Sequence, residues 1–236
     1  MANKSANSKP WLGRLACQSR SERTRQRLIE VAVEVFSDLG FEAASTRTIV
    51  ERAQANLVSI PYYFGNKLGL YHAVAEYIGS SIEGRFRPAC DKAREELQQP
   101  NLTHAQILDM FIRFTQEFAR MMLGADAPSC WGQFIYREQF DPTEAFQIIH
   151  GHFVPLLEVG FEYVSRLTGK PVTDPETRIQ YMGILSMVKF TRTDRASVLL
   201  AMEWKEFGEE ETEIVLKMLR RNLLAIFGCS VPESAS

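Results

Sequence analysis

The sequence predicts an all-α protein of about nine helices. A short N-terminal three-helix unit containing a helix-turn-helix is followed by a larger helical domain. Three observations predict this. Apolar residues recur at helical rather than alternating spacing in several segments, beginning with Leu28, Val31, Ala32, Val35, Phe36 and Leu39. Helix-start residues stand ahead of those segments, at Asn56, Thr103, Asp141-Pro142 and Asp174-Pro175. Glycines stand where helices stop, at Gly40, Gly169 and Gly228.

Taken in order, residues 1–20 hold four basic residues and no acid, and are expected to be a flexible basic tail. Gly13 and Arg14 break its apolar residues, so it has no signal-peptide core. It could add phosphate contacts as an arm, or be inert. The first helix is expected to be capped by Thr24 and closed by Gly40, with Phe41 returning to the core. Ser45 or Thr46 caps a second helix ending near Ala53, with Ile49 and Ala53 inward. The turn Gln54-Ala55-Asn56 follows. Asn56 caps a third helix over Leu57–Tyr63, and Phe64 closes it onto the core. Lys67 opens a fourth helix carrying Leu70, Tyr71, Val74, Ala75 and Ile78. Gly79-Ser80-Ser81 and Pro88 are expected to bend or end it.

Charge is divided along the chain. Residues 1–70 carry ten Lys/Arg against six Asp/Glu, and the remainder 17 against 23, although the whole chain is only −2. A basic front on an acidic body suits a head that meets a polyanion. The four cysteines, Cys17, Cys90, Cys130 and Cys229, are far apart with no CxxC. They read as reduced thiols in a cytoplasmic protein. No run approaches the ~18 apolar residues of a membrane span.

Two short helices joined by a three-residue turn can place the second in the major groove, with helix N-termini against phosphates. Spacing alone is weak evidence for this, because any helical bundle contains such turns. The whole run is more specific. Thr24 to Gly40-Phe41, then Ser45-Thr46-Arg47 with Ile49 and Ala53, then Ile60-x-Tyr62-Tyr63-Phe64-x-x-Lys67-x-x-Leu70 resembles the TetR/AcrR family of transcriptional regulators. Two positions depart from the family pattern. Gln54 replaces a turn glycine, at a cost of roughly 1–2 kcal/mol if left-handed. Pro61 replaces a tyrosine in the third helix, which it would distort or start late.

The resemblance implies a domain division at residues 21–67 (DNA binding), 68–228 (ligand binding and dimerisation) and a frayed 229–236. It implies that Ser45 and Thr46 bond phosphate and that Arg47 reaches backbone or a base edge. Asn56, Ser59, Tyr62 and Tyr63 would face the groove, one tyrosine partly core and the other exposed. Lys67 would bind phosphate. The implied partners are a double-stranded palindromic operator, a second copy of the chain in a four-helix dimer bundle, and a small-molecule effector.

In the larger domain, residues 91–99 read as a charged, solvated stretch. A central helix after Thr103 holds Ile107, Phe111, Phe114, Phe118 and Met122. This Phe/Met set is either plain core or the wall of an apolar pocket. Asp141, Pro142 and Glu144 mark a helix running to Gly169, kinked at Pro155. Asp174-Pro175 starts a helix through Ile179, Met182, Leu185, Val188 and beyond. The last spans about Glu210–Phe227, with Ile214, Val215, Met218, Leu219, Leu223 and Ile226 on one face. Arg137-Glu138-Gln139 with Asp141 to Phe146, and less closely Gly183, Phe190, Arg192 and Trp204, resembles the CecR-type C-terminal domain of one TetR subgroup. On that resemblance the effector would lie among Phe111, Phe114, Phe118, Met122, Trp131, Phe134, Arg137, Phe190 and Arg192. Arg137 and Arg192 could instead be ion-pair partners.

No cofactor is expected. His150-x-His152 points its rings about 200° apart on a helix, so no metal is expected. Glu138 and Asp141 read as a helix boundary rather than a catalytic pair. No phosphate loop, nucleophile elbow or Cys/His pair appears, so catalysis is not expected. An enzyme that has kept such a segment and a protein-binding adaptor remain as rivals.

Overall fold

The computed structural model describes residues 20–124 and 129–228, and in them the chain forms ten helices and no strand. The expectations for the basic tail to residue 19, Cys17, Cys229 and the C-terminal tail lie outside the described residues. The chain divides into two compact units between Val74 and Ala75.

In the first unit, α1 spans Arg20–Ala43. It starts earlier than expected: Thr24 lies inside it and donates its hydroxyl to the Arg20 carbonyl, so it is not the cap. Gly40 breaks the helical path with φ +79°, a conformation that glycine adopts freely. Leu28, Ile29, Ala32, Val33, Val35 and Phe36 are buried, whereas Leu39 is exposed and Val31 half-buried. The buried stripe is thus rotated from the expected one. Phe36, Phe41 and Tyr71 form an aromatic cluster, with Phe36 and Tyr71 edge to face at 4.9 Å.

The second helix, α2, is Thr46–Arg52, and α3 is Ser59–Phe64. The third helix therefore begins two residues late, as its proline demands. Pro61 falls in the first turn, where the missing N–H has no helical partner to lose. Helix α4 (Lys67–Leu97) runs unbroken through Gly79 and Pro88 and across the division between the units. The helix does not end at either position: Pro88 lies inside it, exposed, with helical neighbours on both sides.

The second unit is built on α5 (His104–Leu123), which packs mainly against α10, α7 and α8. Thr103 and Gln106 form a reciprocal cap at its start. Phe111 is fully buried, its ring stacked at 5.1 Å on Tyr163 and edge-on at 5.9 Å to Phe227. Helix α6 is Ser129–Phe140 and α7 is Glu144–Thr168. Thr143, not Asp141, caps α7. Its hydroxyl accepts from Ala145 N–H and donates to the buried Glu138 carboxylate, which also takes Thr143 N–H. Helix α7 passes through Pro155 and ends at the left-handed Gly169.

Asp174 and Pro175 do start the next helix, α8 (Pro175–Thr193). A short α9 (Arg195–Ala201), not anticipated, follows it, and α10 spans Glu209–Phe227. Among the described residues no helix is long and apolar enough to cross a membrane.

Candidate nucleic-acid interface

The turn between α2 and α3 is fixed by backbone and side-chain bonds. Ser45 caps α2 by accepting from Thr48 N–H at 3.0 Å, and its hydroxyl also meets that of Thr48. Gln54 is left-handed, at φ +50°. Arg27 of α1 donates to the Gln54 carbonyl at 3.3 Å, which ties the strained residue down. Asn56 then takes Val58 N–H on its side-chain oxygen and Ser59 N–H on its carbonyl.

This turn presents a mixed surface. Ser45, Arg47 and Asn56 are exposed, and Thr46 and Ser59 half-buried. Arg47 donates to Glu51 at 2.9 Å, and the carboxylate pushes its guanidinium pKa up. Such fully exposed i,i+4 pairs are screened by water and weak, so a phosphate can displace the carboxylate. Tyr62 is 77% exposed, and its ring meets Tyr63 edge to face at 4.8 Å. Tyr63 is half-buried and shares a 2.9 Å hydrogen bond with Ser21 at the start of α1.

Lys67 opens α4 but is not a bare charge. Its ammonium donates to the Glu42 carbonyl at 3.2 Å and lies 4.5 Å from the Phe41 ring centroid. All eight residues named from the sequence therefore lie in the first unit, on α2, the turn, α3 and the start of α4.

Leu57 and Val58 are not among the residues named from the sequence. They are 54% and 67% exposed, in the turn just ahead of α3. Reading them as the first residues of the third helix hid this. Asn56 does not cap α3 as expected: the cap position is Val58, without a side-chain cap bond, because the late start leaves Asn56 within the turn and Leu57 ahead of the helix.

The nine residues named for an effector are spread more widely. Phe111, Phe114 and Phe118 are buried on α5, with Met122 half-buried near its end. Trp131 and Phe134 are buried on α6. Trp131 meets Tyr77 edge to face and lies under the Arg85 guanidinium. Arg137 is exposed on α6 and Phe190 on α8. Arg192 belongs to α8, but its side chain lies outside the described residues.

Aromatic rings fill the space around these buried residues, with Phe118 on Phe86 and Phe114 on Tyr163. A groove of about 380 Å³ opens elsewhere, between the end of α4 and α5, beside Glu96, Gln106, Asp109 and Arg113.

His150 and His152 do not share a ligand. His150 is exposed beside Phe146, while His152 bridges two α4 carboxylates, and no group of metal-ligating residues exists among the described residues.

Comparison with known proteins covers most of this chain. Residues 28–74 match the family described as bacterial regulatory proteins, tetR family. Residues 107–229 match the C-terminal domain of the HTH-type transcriptional dual regulator CecR. The chain is 29% identical over 197 residues to that dual regulator from Shigella flexneri, covering 83% of this chain and 87% of the relative. It is 38% identical over 80 residues to the HTH-type transcriptional repressor NicS of Pseudomonas putida, covering 34% and 36%. Among solved structures, a TetR-like transcriptional regulator from Rhodococcus sp. RHA1 shares the fold. Its TM-score is 0.56 at 19% identity, over 90% of this chain and 100% of that one. A second regulator from the same organism has TM-score 0.58 at 15% identity, over 88% and 98%.

Proposed function

The chain belongs to the TetR family of bacterial transcriptional regulators, with a CecR-type C-terminal domain; from that premise we infer that it is a homodimeric repressor, released from a palindromic operator by a small molecule. The observation that carries the reading is the first unit's surface, where Ser45, Arg47, Asn56 and Tyr62 stand exposed on two successive helices and their turn. Hydroxyl, guanidinium, amide and phenol are the groups that meet phosphates and base edges.

Pairing of two chains is supported by α8 and α10. Ile179, Gly183 and Phe190 on α8, and Ile214, Ala225 and Ile226 on α10, are exposed, with Met187 and Met218 half-buried beside them. Apolar residues at helical spacing on two long helices suit a four-helix bundle with a second copy. Ile179, Ile214 and Ile226 are on this outer face, while Val215, Leu219 and Leu223, read from the sequence on one face with Ile214 and Ile226, are buried. The pairing would place two α3 helices about one DNA turn apart, ~34–36 Å. An effector held near Phe111–Met122, Trp131–Arg137 and Phe190 must prefer the DNA-incompetent form, because only differential affinity shifts the equilibrium. Helix α4 is the covalent path from one unit to the other. The setting is cytoplasmic.

A second reading is a dual regulator. The relative whose similarity spans most of this chain carries that description. Selection of bound duplexes from a random pool, repeated with candidate effectors, tests the reading. Enrichment of an inverted repeat that one effector abolishes supports it. A chain that sediments as a lone subunit on an enriched, non-repeated site overturns it.

A further inference from the structure

Beside the exposed Asn56 amide and Tyr62 phenol, few further directional base-reading groups stand at the tip of the α2–α3 surface. Val58 and Ser59 N–H are already bonded to Asn56, and Pro61 has no N–H. The Asn56 side-chain oxygen is used within the turn, and the Ser59 side chain is half-buried. Apolar surface is exposed there instead: Leu57, Val58 and Pro61, beside the ring of Tyr62.

Water-exposed Leu and Val in a basic, polyanion-facing unit call for an apolar partner within a polar groove. The major groove offers one such group, the C5-methyl of thymine. We propose that Leu57 and Val58 read thymine methyl groups, and that operator choice rests on these contacts more than on hydrogen bonds to base edges. This rests on the DNA-binding reading above and goes beyond it by naming the residues and the base feature they recognise. The chemistry extends to 5-methylcytosine, which carries the same methyl group at the same ring position.

The test uses the full-length protein and the duplex that emerges from random-pool selection. Each thymine is replaced in turn by deoxyuridine, which keeps every hydrogen-bonding group and loses only the methyl. Affinity is read by fluorescence anisotropy. At one or more positions in each half-site, uracil weakens binding about fourfold, the effect of withdrawing one methyl-sized apolar group from contact.

In the double variant Leu57→Ala, Val58→Ala the thymine and uracil duplexes bind alike. Both positions are exposed, so its melting temperature stays with the parent's, which separates lost contact from lost fold. Uracil tolerated at every position while sequence preference persists overturns the methyl reading and leaves DNA binding intact. A double variant that still distinguishes thymine from uracil overturns the assignment to these residues. Failure of the pool to enrich any duplex overturns the underlying reading.

Discussion

Gly79 of α4 lies flat against the imidazole of His152 on α7, so close that a Cβ at Gly79 would come within 2.9 Å of the ring's Cγ. The glycine sits between Glu76 and Glu83 on the same helix. His152 bonds both, Nδ1 to Glu83 at 2.7 Å and Nε2 to Glu76 at 3.1 Å. Three residues of α4 at i, i+3 and i+7 thus make a slot for one ring of α7.

Filling that slot is expected to destabilise the second unit. Gly79→Ala must push the imidazole off its carboxylates, at about 1–3 kcal/mol. Gly160→Ala is expected to cost more, because its Cβ would fall inside the ring of Tyr181, which is buried and bonded through its hydroxyl to the Leu156 carbonyl. Urea denaturation of the two variants checks the order. Equal midpoints would show that the Tyr181 ring can move aside.

Stability is expected to depend on the protonation of His152. Burial opposes its positive charge, but the bonds from Glu83 and Glu76 outweigh this and raise its pKa above the ordinary imidazole range. Glu83 is held below the ordinary carboxylate range, chiefly by its bond to His152. A raised imidazole pKa stabilises at low pH and is lost as pH rises through the folded value. A lowered carboxylate pKa stabilises at higher pH and is lost as pH falls through its folded value. The bridge therefore contributes most between the two. The melting-temperature gap between the parent and His152→Gln should be widest there and narrow above the imidazole's raised pKa. A gap that is flat with pH would mean that the ring acts by packing alone.

Tyr62 and Tyr63 are adjacent but should separate cleanly by mutation. Tyr62→Ala is expected to lower operator affinity by about 1–2 kcal/mol without changing the melting temperature, since 77% of that residue faces solvent. Tyr63→Ala should lower both, because it removes half-buried packing and the bond to Ser21. Tyr63→Phe isolates that bond. Anisotropy paired with thermal melts reads both quantities.

Lys67→Ala is expected to weaken binding to all duplexes alike and to lower the salt slope by about 1. The same change removes the contacts to Glu42 and the Phe41 ring. A small stability loss is therefore expected alongside. An unchanged salt slope would leave Lys67 with only this internal role.

The helical character of the chain, and most of its boundaries, were legible in the residues. Ser45, Thr103 and Asp174 cap helices, as their short side chains and neighbours indicated. The late start of α3 followed from Pro61. Errors came where two residues competed for one role. Asp141 lost the cap to Thr143 because the buried Glu138 carboxylate engages both the backbone and the hydroxyl of Thr143.

By itself the sequence determined the longer helices, the basic head and the family, because these depend on local spacing and residue type. The tertiary structure alone decided which apolar face is core and which is left outward. Ile179 and Ile214 have the periodicity of core residues, and periodicity does not say what a face will meet. It alone joined His152 to Glu83, 69 residues apart, through a gap that only a missing side chain on Gly79 provides. Contacts of that kind depend on how helices approach one another, and no local pattern encodes them.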